Sequence, residues 1–178
     1  LNIEALCLFF RKTLELIAFS SLTAHRAAYE AVYNDISSQW RAKRILDRVE
    51  QQHPEFFPKP VRISGRDHRG VWMIENVEDG FLTKDDFEFL YDQCSAVIHA
   101  RNPFRPNEVI NFERSLDEWA LRVIRLLDHH IIKLSGSYDV WLVQMSRQDD
   151  QKVHAFLCPA VAEDTGQPLD EVRSAPQP

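Results

Sequence analysis

The first twenty-two residues, LNIEALCLFFRKTLELIAFSSL, constrain this chain more than any other segment. Ile3, Leu6, Cys7, Phe10, Leu14, Ile17 and Ala18 recur at three- and four-residue steps, the spacing of one helix face. Leu8, Phe9, Leu16 and Phe19 widen the apolar surface well beyond one stripe. A helix that is apolar nearly all round sits at the centre of a bundle or is covered on its second face by a partner. Arg11 and Glu15 lie four apart and are expected to pair on the remaining polar side. The run is broken by Glu4, Arg11, Lys12 and Glu15, and it lacks a basic n-region and a small-residue cleavage site. It therefore reads as a core helix, neither signal peptide nor anchor. No apolar run approaches the roughly 20 residues needed to span a bilayer, so no membrane partner is expected.

Further helices are expected over AHRAAYEAVYND after Thr23, and over QWRAKRILDRVEQQH after Ser37 or Ser38. Pro54, Pro58 and Pro60 then forbid regular helix, and PEFFPKPVRISGRDHRG reads as a connection. VWMIENVEDG fits a short strand or an irregular segment. LTKDDFEFLYDQCSAVIHA has Thr83 as a natural N-cap, with Asp85 and Asp86 in the first turn. Its apolar face is Phe87, Leu90, Tyr91, Cys94, Val97 and Ile98, and Pro103 lies just past its end. A last helix is expected from Asn111 or Ser115 to Lys133, with Trp119, Val123, Ile124 and Ile131 among its inward residues.

The period then changes. YDVWLVQMS and KVHAFLCPA are rich in β-formers and predict an antiparallel hairpin over about 138–159. A lone hairpin is marginal, so it should pack on the bundle or pair with residues 71–75. The resulting fold class is mainly α: a four- to five-helix bundle with a C-terminal β-hairpin, one domain over 1–160. Residues 161–178 are polar and proline-bearing, and disorder is expected there.

At 178 residues, 44% apolar and 27% charged, the chain suits one well-buried domain. It begins at Leu1 without methionine, as a trimmed sequence or a fragment does. Cys7, Cys94 and Cys158 are far apart and odd in number, which argues for reduced thiols and a cytoplasmic location. The net charge of −6 excludes a uniformly basic protein but not a local basic patch.

Phosphate-loop, dinucleotide, zinc-protease, serine-hydrolase and calcium-loop patterns are missing, and no metal or cofactor is expected. What remains is the end of the helix at SAVIHARNPF. A helix C-terminus favours a protonated imidazole, and His99 is followed by Arg101 and Asn102. Such a group can transfer protons on a phosphodiester while an arginine stabilises charge on phosphorus-bound oxygens. The plainer alternative is that His99 bonds a carbonyl or Asn102 and fixes the turn before Pro103.

The opening helix LCLFFRKTLELIAFSSL and the helix ending in SAVIHARNPF resemble the HEPN superfamily (higher eukaryotes and prokaryotes nucleotide-binding domains), in outline over residues 3–133. The resemblance implies a helical homodimer that handles RNA. It also implies, in the active case, a metal-independent ribonuclease of toxin–antitoxin, CRISPR or phage-defence systems. The family's Arg-x4–6-His motif is broken here: Asp92, Gln93 and Cys94 stand where the arginine belongs. Gln93 cannot supply a fixed charge, which leaves Arg101 as the near substitute. Three other segments satisfy the spacing: Arg125 with His130, Arg122 with His129, and Arg48 with His53. The first two overlap on one stretch, with Asp128 available to orient a histidine.

Arg41, Lys43, Arg44 and Arg48, with Arg62 and Arg66, form candidate phosphate contacts beside Trp40, Phe57 and Trp72. Their bland alternative is a solvated face balanced by Asp47, Glu50 and Asp67. Three functions follow: an atypical RNA-handling domain, a non-catalytic dimerisation or adaptor module, and a small-molecule regulator. The last predicts a cavity lined by Trp72, Trp119 and Trp141.

Overall fold

A computed structural model describes residues 2–30, 32–33, 41–68, 70, 72–99, 109–134, 136, 139–145 and 150–158. Five helices and five strands follow in the order α1 (Ile3–Ala24), α2 (Arg26–Glu30), α3 (Ala42–Gln52), β1 (Lys59–Arg66), β2 (Trp72–Asn76), α4 (Lys84–Ile98), α5 (Leu116–Leu127), β3 (His129–Lys133), β4 (Val140–Gln144) and β5 (His154–Cys158). The strands form one antiparallel sheet in the order β2-β1-β3-β4-β5. The fold is therefore α+β. The expected mainly-α bundle with a single hairpin is overturned by that sheet.

Two segments account for the difference. Pro54, Pro58 and Pro60 do exclude helix, but a strand starts within the proline cluster. Lys59 and Pro60 pair with β3, whereas Val61 to Arg66 pair with β2. Pro60 thus sits near the strand's start, where its missing N–H interrupts little of either ladder. The second segment is residues 129–133, expected as the end of a helix. Leu127, Ile131 and Ile132 fit a helical spacing, yet His129–Lys133 is strand β3 in full register with β4. Short apolar runs fit both periods, and a partner strand decides between them. The expected hairpin is present as β4–β5, but it joins the sheet through β3 and lies at the opposite end from β2.

The starts of α4 and α5 follow their sequence signals, whereas Thr23, expected to cap a second helix, lies within α1 and α2 spans only Arg26–Glu30. Thr83 and Asp86 close a capping box at the start of α4: the Asp86 N–H donates to Thr83 Oγ1 at 3.1 Å and the Thr83 N–H to the Asp86 carboxylate at 3.4 Å. His99 is the C-cap of α4, in extended backbone, its N–H donating to the Ser95 carbonyl at 3.0 Å. Ser115 caps α5 through the Glu118 N–H. Ser37, Ser38 and Trp40, expected before α3, lie outside the described residues, and Arg41 is the N-cap there.

The core lies within the helical layer, where α1 packs on α3 and α4. Leu14, Ile45, Leu46, Phe87, Leu90 and Trp119 are fully buried in it. Within α5 the inward set differs from expectation at one point: Leu126 is buried and Ile124 faces solvent at 59% exposure. The sheet attaches to this layer through α5, which contacts β1 and β3. Among the described residues, no helix is long and apolar enough to cross a membrane.

Gly80 makes the turn into α4 with φ +74°, and a Cβ there would lie 2.3 Å from Arg125 Nη1. Arg125 donates to the Gly80 carbonyl at 3.3 Å. Gly80→Ala is therefore expected to cost about 1–2 kcal/mol, because an L side chain is strained at positive φ, while the end of the exposed Arg125 side chain can swing aside. A urea titration of the two proteins measures it.

Candidate functional site

His99 is held where α4 ends, and its ring reaches back towards α1. Arg11, at the border of the buried face of α1, brings Nη1 to 3.1 Å from His99 Nε2. The two residues are 88 apart in sequence. The same guanidinium donates through Nε to Glu15 at 3.1 Å and through Nη1 to Ser95 Oγ at 3.2 Å. It also lies 4.9 Å over the Tyr91 ring. Tyr91 donates its hydroxyl to Glu15 at 3.4 Å, and Ser95 donates to the Tyr91 carbonyl at 2.6 Å. Five polar side chains from two helices thus form one connected cluster, with His99 at its exposed end.

A guanidinium has no acceptor, so His99 Nε2 accepts in this contact and the ring's proton sits on Nδ1. The resting pair thus presents N–H donors, which suits an anion. Nε2 becomes available as a base once a ligand oxygen takes over the arginine's hydrogen bond. Partial burial works against the charge on Arg11, but Glu15 and Tyr91 more than offset it, and the pKa is raised. Burial also pushes the Tyr91 hydroxyl up, keeping it a donor to Glu15.

Arg11 is the residue that motif spacing misses. The guanidinium beside His99 comes from the first helix, across an interhelical contact that no local window contains. The available signal was an arginine at the edge of an otherwise apolar face. The proposed substitute Arg101, and Asn102 beside it, lie outside the described residues.

The remaining Arg–His pairs are engaged elsewhere. Arg125 bonds the Gly80 carbonyl, while His130 is buried on β3 with Nδ1 3.0 Å from the Leu127 carbonyl. Arg122 bonds Asp86 and the Phe81 carbonyl, each at 2.8 Å, and His129 meets Asp128. Arg48 donates to the Tyr29 hydroxyl, and His53 Nε2 sits 3.1 Å from the Lys133 carbonyl. These contacts tie turns, helices and strands together.

The candidate phosphate-binding cations fall into two groups. On α3, Arg41 and Arg44 are exposed, Arg48 stacks on Tyr33, and Lys43 pairs with Asp92 at 2.8 Å. Asp92 shares one stripe of α4 with Ser95 and His99, which brings Lys43 to the helix face carrying the cluster. On the β1–β2 ribbon, Arg62 pairs with Glu75 and Arg66 lies 4.1 Å over Trp72. An open cavity of about 400 Å³ is bordered by Phe57, Phe81, Lys59 and Lys84. No residue of the His99 cluster lines it, and neither do the three tryptophans expected of a regulator. Trp119 is fully buried in the core, and Trp72 is exposed on β2. Among the described residues no group of three or more metal-ligating side chains is assembled.

Two buried histidines make the fold acid-sensitive. Burial lowers the pKa of His25, and the charge of nearby His53, 4.9 Å away ring to ring, lowers it further. Burial lowers that of His130 too, against the opposing bond to Leu127. The unfolded chain thus binds protons that the folded chain refuses. Their contribution is complete above about pH 6.5 and is lost as pH falls through the lower folded values. Glu55, held down to about 2 by Lys133 and Lys59, adds a second loss below about pH 4.5. Melting temperature is expected to hold above pH 7 and decline steadily below 6.5. His130→Gln would flatten the upper part of that slope.

Compared with protein-family models, curated proteins and solved structures, the chain matches none.

Proposed function

We propose that this chain is a HEPN-like RNA-binding domain acting as an atypical, metal-independent endoribonuclease of a cytoplasmic defence or toxin–antitoxin system. The observation that carries the reading is the 3.1 Å contact between Arg11 Nη1 and His99 Nε2, which pairs an arginine with the helix-ending histidine. In the reaction, the imidazole takes the proton of a ribose 2′-hydroxyl as its oxygen bonds to phosphorus. The bond to the 5′-oxygen breaks, and the imidazolium so formed returns its proton to that oxygen as it leaves, giving a 2′,3′-cyclic phosphate and a 5′-hydroxyl. Arg11 stabilises the negative charge on the phosphorane oxygens. Free Cys7, Cys94 and Cys158 are in keeping with a reducing compartment. Cleavage of a mixed single-stranded RNA pool in chelator tests the reading, with loss of cleavage expected for His99→Ala.

A homodimer is part of this proposal. Phe9 and Leu16 are 62% and 67% exposed on the face of α1 turned away from the core, with Leu8 and Phe19 beside them. The same face supports the alternative, a dimerisation or adaptor module without cleavage. Leu16→Glu is expected to halve the mass seen by sedimentation equilibrium, to that of a 20.8 kDa chain, without unfolding it. A parent that is already monomeric would remove the dimer from the proposal.

A further inference from the structure

An arginine and a glutamate four apart on a helix are commonplace, and most such pairs do little. The Arg11–Glu15 pair differs in being tied across a helix–helix contact. Glu15 Oε1 accepts from Arg11 Nε on its own helix and from the Tyr91 hydroxyl on α4. Tyr91 in turn lies beneath the guanidinium that Glu15 bonds. The arginine is thereby held on its Nε edge, on its face and at Nη1, with side-chain exposure of only 20%.

We propose that Glu15, together with the Tyr91 hydroxyl, is a positioning group that holds the Arg11 guanidinium beside His99, so that a phosphodiester oxygen can take over the Nη1 hydrogen bond and leave Nε2 free. The assignment rests on the ribonuclease reading for its ligand but on the cluster's geometry for its mechanism. A long, rotamer-rich side chain fixed before substrate arrives need not be ordered during the reaction, and this acts on turnover more than on binding. Glu15 itself touches no reacting atom. Glutamine at this position keeps an oxygen acceptor for Arg11 Nε, whereas alanine removes it.

The test uses the full chain with ¹⁵N-labelled histidine and reads the His99 tautomer alongside metal-free RNA cleavage. The nitrogen carrying the proton is set by the bond the other nitrogen makes, so the ring reports whether Arg11 is in place. The parent and Glu15→Gln are expected to show His99 protonated on Nδ1, and Glu15→Ala to lose that signature. In parallel, kcat should fall roughly 10- to 100-fold in Glu15→Ala with KM within about threefold, and recover largely in Glu15→Gln. An unchanged tautomer in Glu15→Ala overturns the positioning role. If the parent cleaves no RNA, the ribonuclease reading falls while the tautomer still decides the positioning role. Should Glu15→Ala fail to fold, Tyr91→Phe, which keeps the ring and removes only the hydroxyl, carries the same test. Loss of the Nδ1 signature there supports the role, and its retention overturns it.

Discussion

Arg11→Ala is expected to lose metal-free RNA cleavage by roughly 10²- to 10³-fold, the usual consequence of deleting one charge-stabilising donor from an active site. Arg11→Lys is expected to restore little. An ammonium is a point charge and cannot bond Glu15 on one edge while meeting Ser95 and His99 at the other. His99→Ala should lose roughly 10²- to 10⁴-fold, as expected for an acid–base group. The double variant should be little worse than His99→Ala, because two residues acting as one unit do not add. Stability should fall by about 1–2 kcal/mol, since the guanidinium is largely covered and its loss leaves Glu15, Ser95 and His99 each with one partner fewer. Single-turnover kinetics with a labelled oligonucleotide, in chelator, measures all four proteins. Full activity in Arg11→Ala would dismiss the cross-helix pair as the working site. Its arginine would then have to be sought elsewhere in the chain.

The largest effect on stability is expected at Trp119. It is fully buried, packs on Phe89 with ring centroids 5.9 Å apart, and donates its indole N–H to the Phe112 carbonyl at 3.0 Å. Trp119→Ala removes the largest fully buried side chain of the core and takes one of two donors from that carbonyl, which keeps the Arg114 N–H. The expected loss is about 3–5 kcal/mol. For a chain of this length that corresponds to a melting temperature lower by roughly 10 °C or more. Trp119→Phe should cost less, because the ring is largely replaced and only the hydrogen bond and some volume are lost. Chemical denaturation of the three proteins separates the packing loss from the hydrogen-bond loss.

The starts of α4 and α5 and most of the helical core were legible because their signals are local. Thr83 with Asp86 marks the start of α4, and the apolar positions up to Ile98 run out at His99. Ser115 marks α5, and the pairing of Arg11 with Glu15 follows from a spacing of four on one helix. Each involves residues within about one helical turn, where geometry is nearly independent of the rest of the chain. The sheet was harder to read for the opposite reason. Nothing within residues 59–66 or 129–133 says which strand each will meet, and the sheet is assembled from segments as distant as β1 and β3. Prolines were informative about what β1 could not be, and silent about what it became.

The candidate site divides along the same line. That a histidine closes α4, and that it lacks an arginine five to seven residues before it, is written in the order of residues 92–99. That Arg11 stands 3.1 Å from that histidine is a consequence of α1 packing on α4. The chain alone determined where α1 and α4 form, where α5 starts, most of the faces they bury and where His99 falls, because hydrogen-bonding and side-chain periodicity act over a few residues. Only the tertiary structure decided the five-stranded sheet and the partner of His99, because both depend on contacts between segments whose separation along the chain bears no relation to their distance in space.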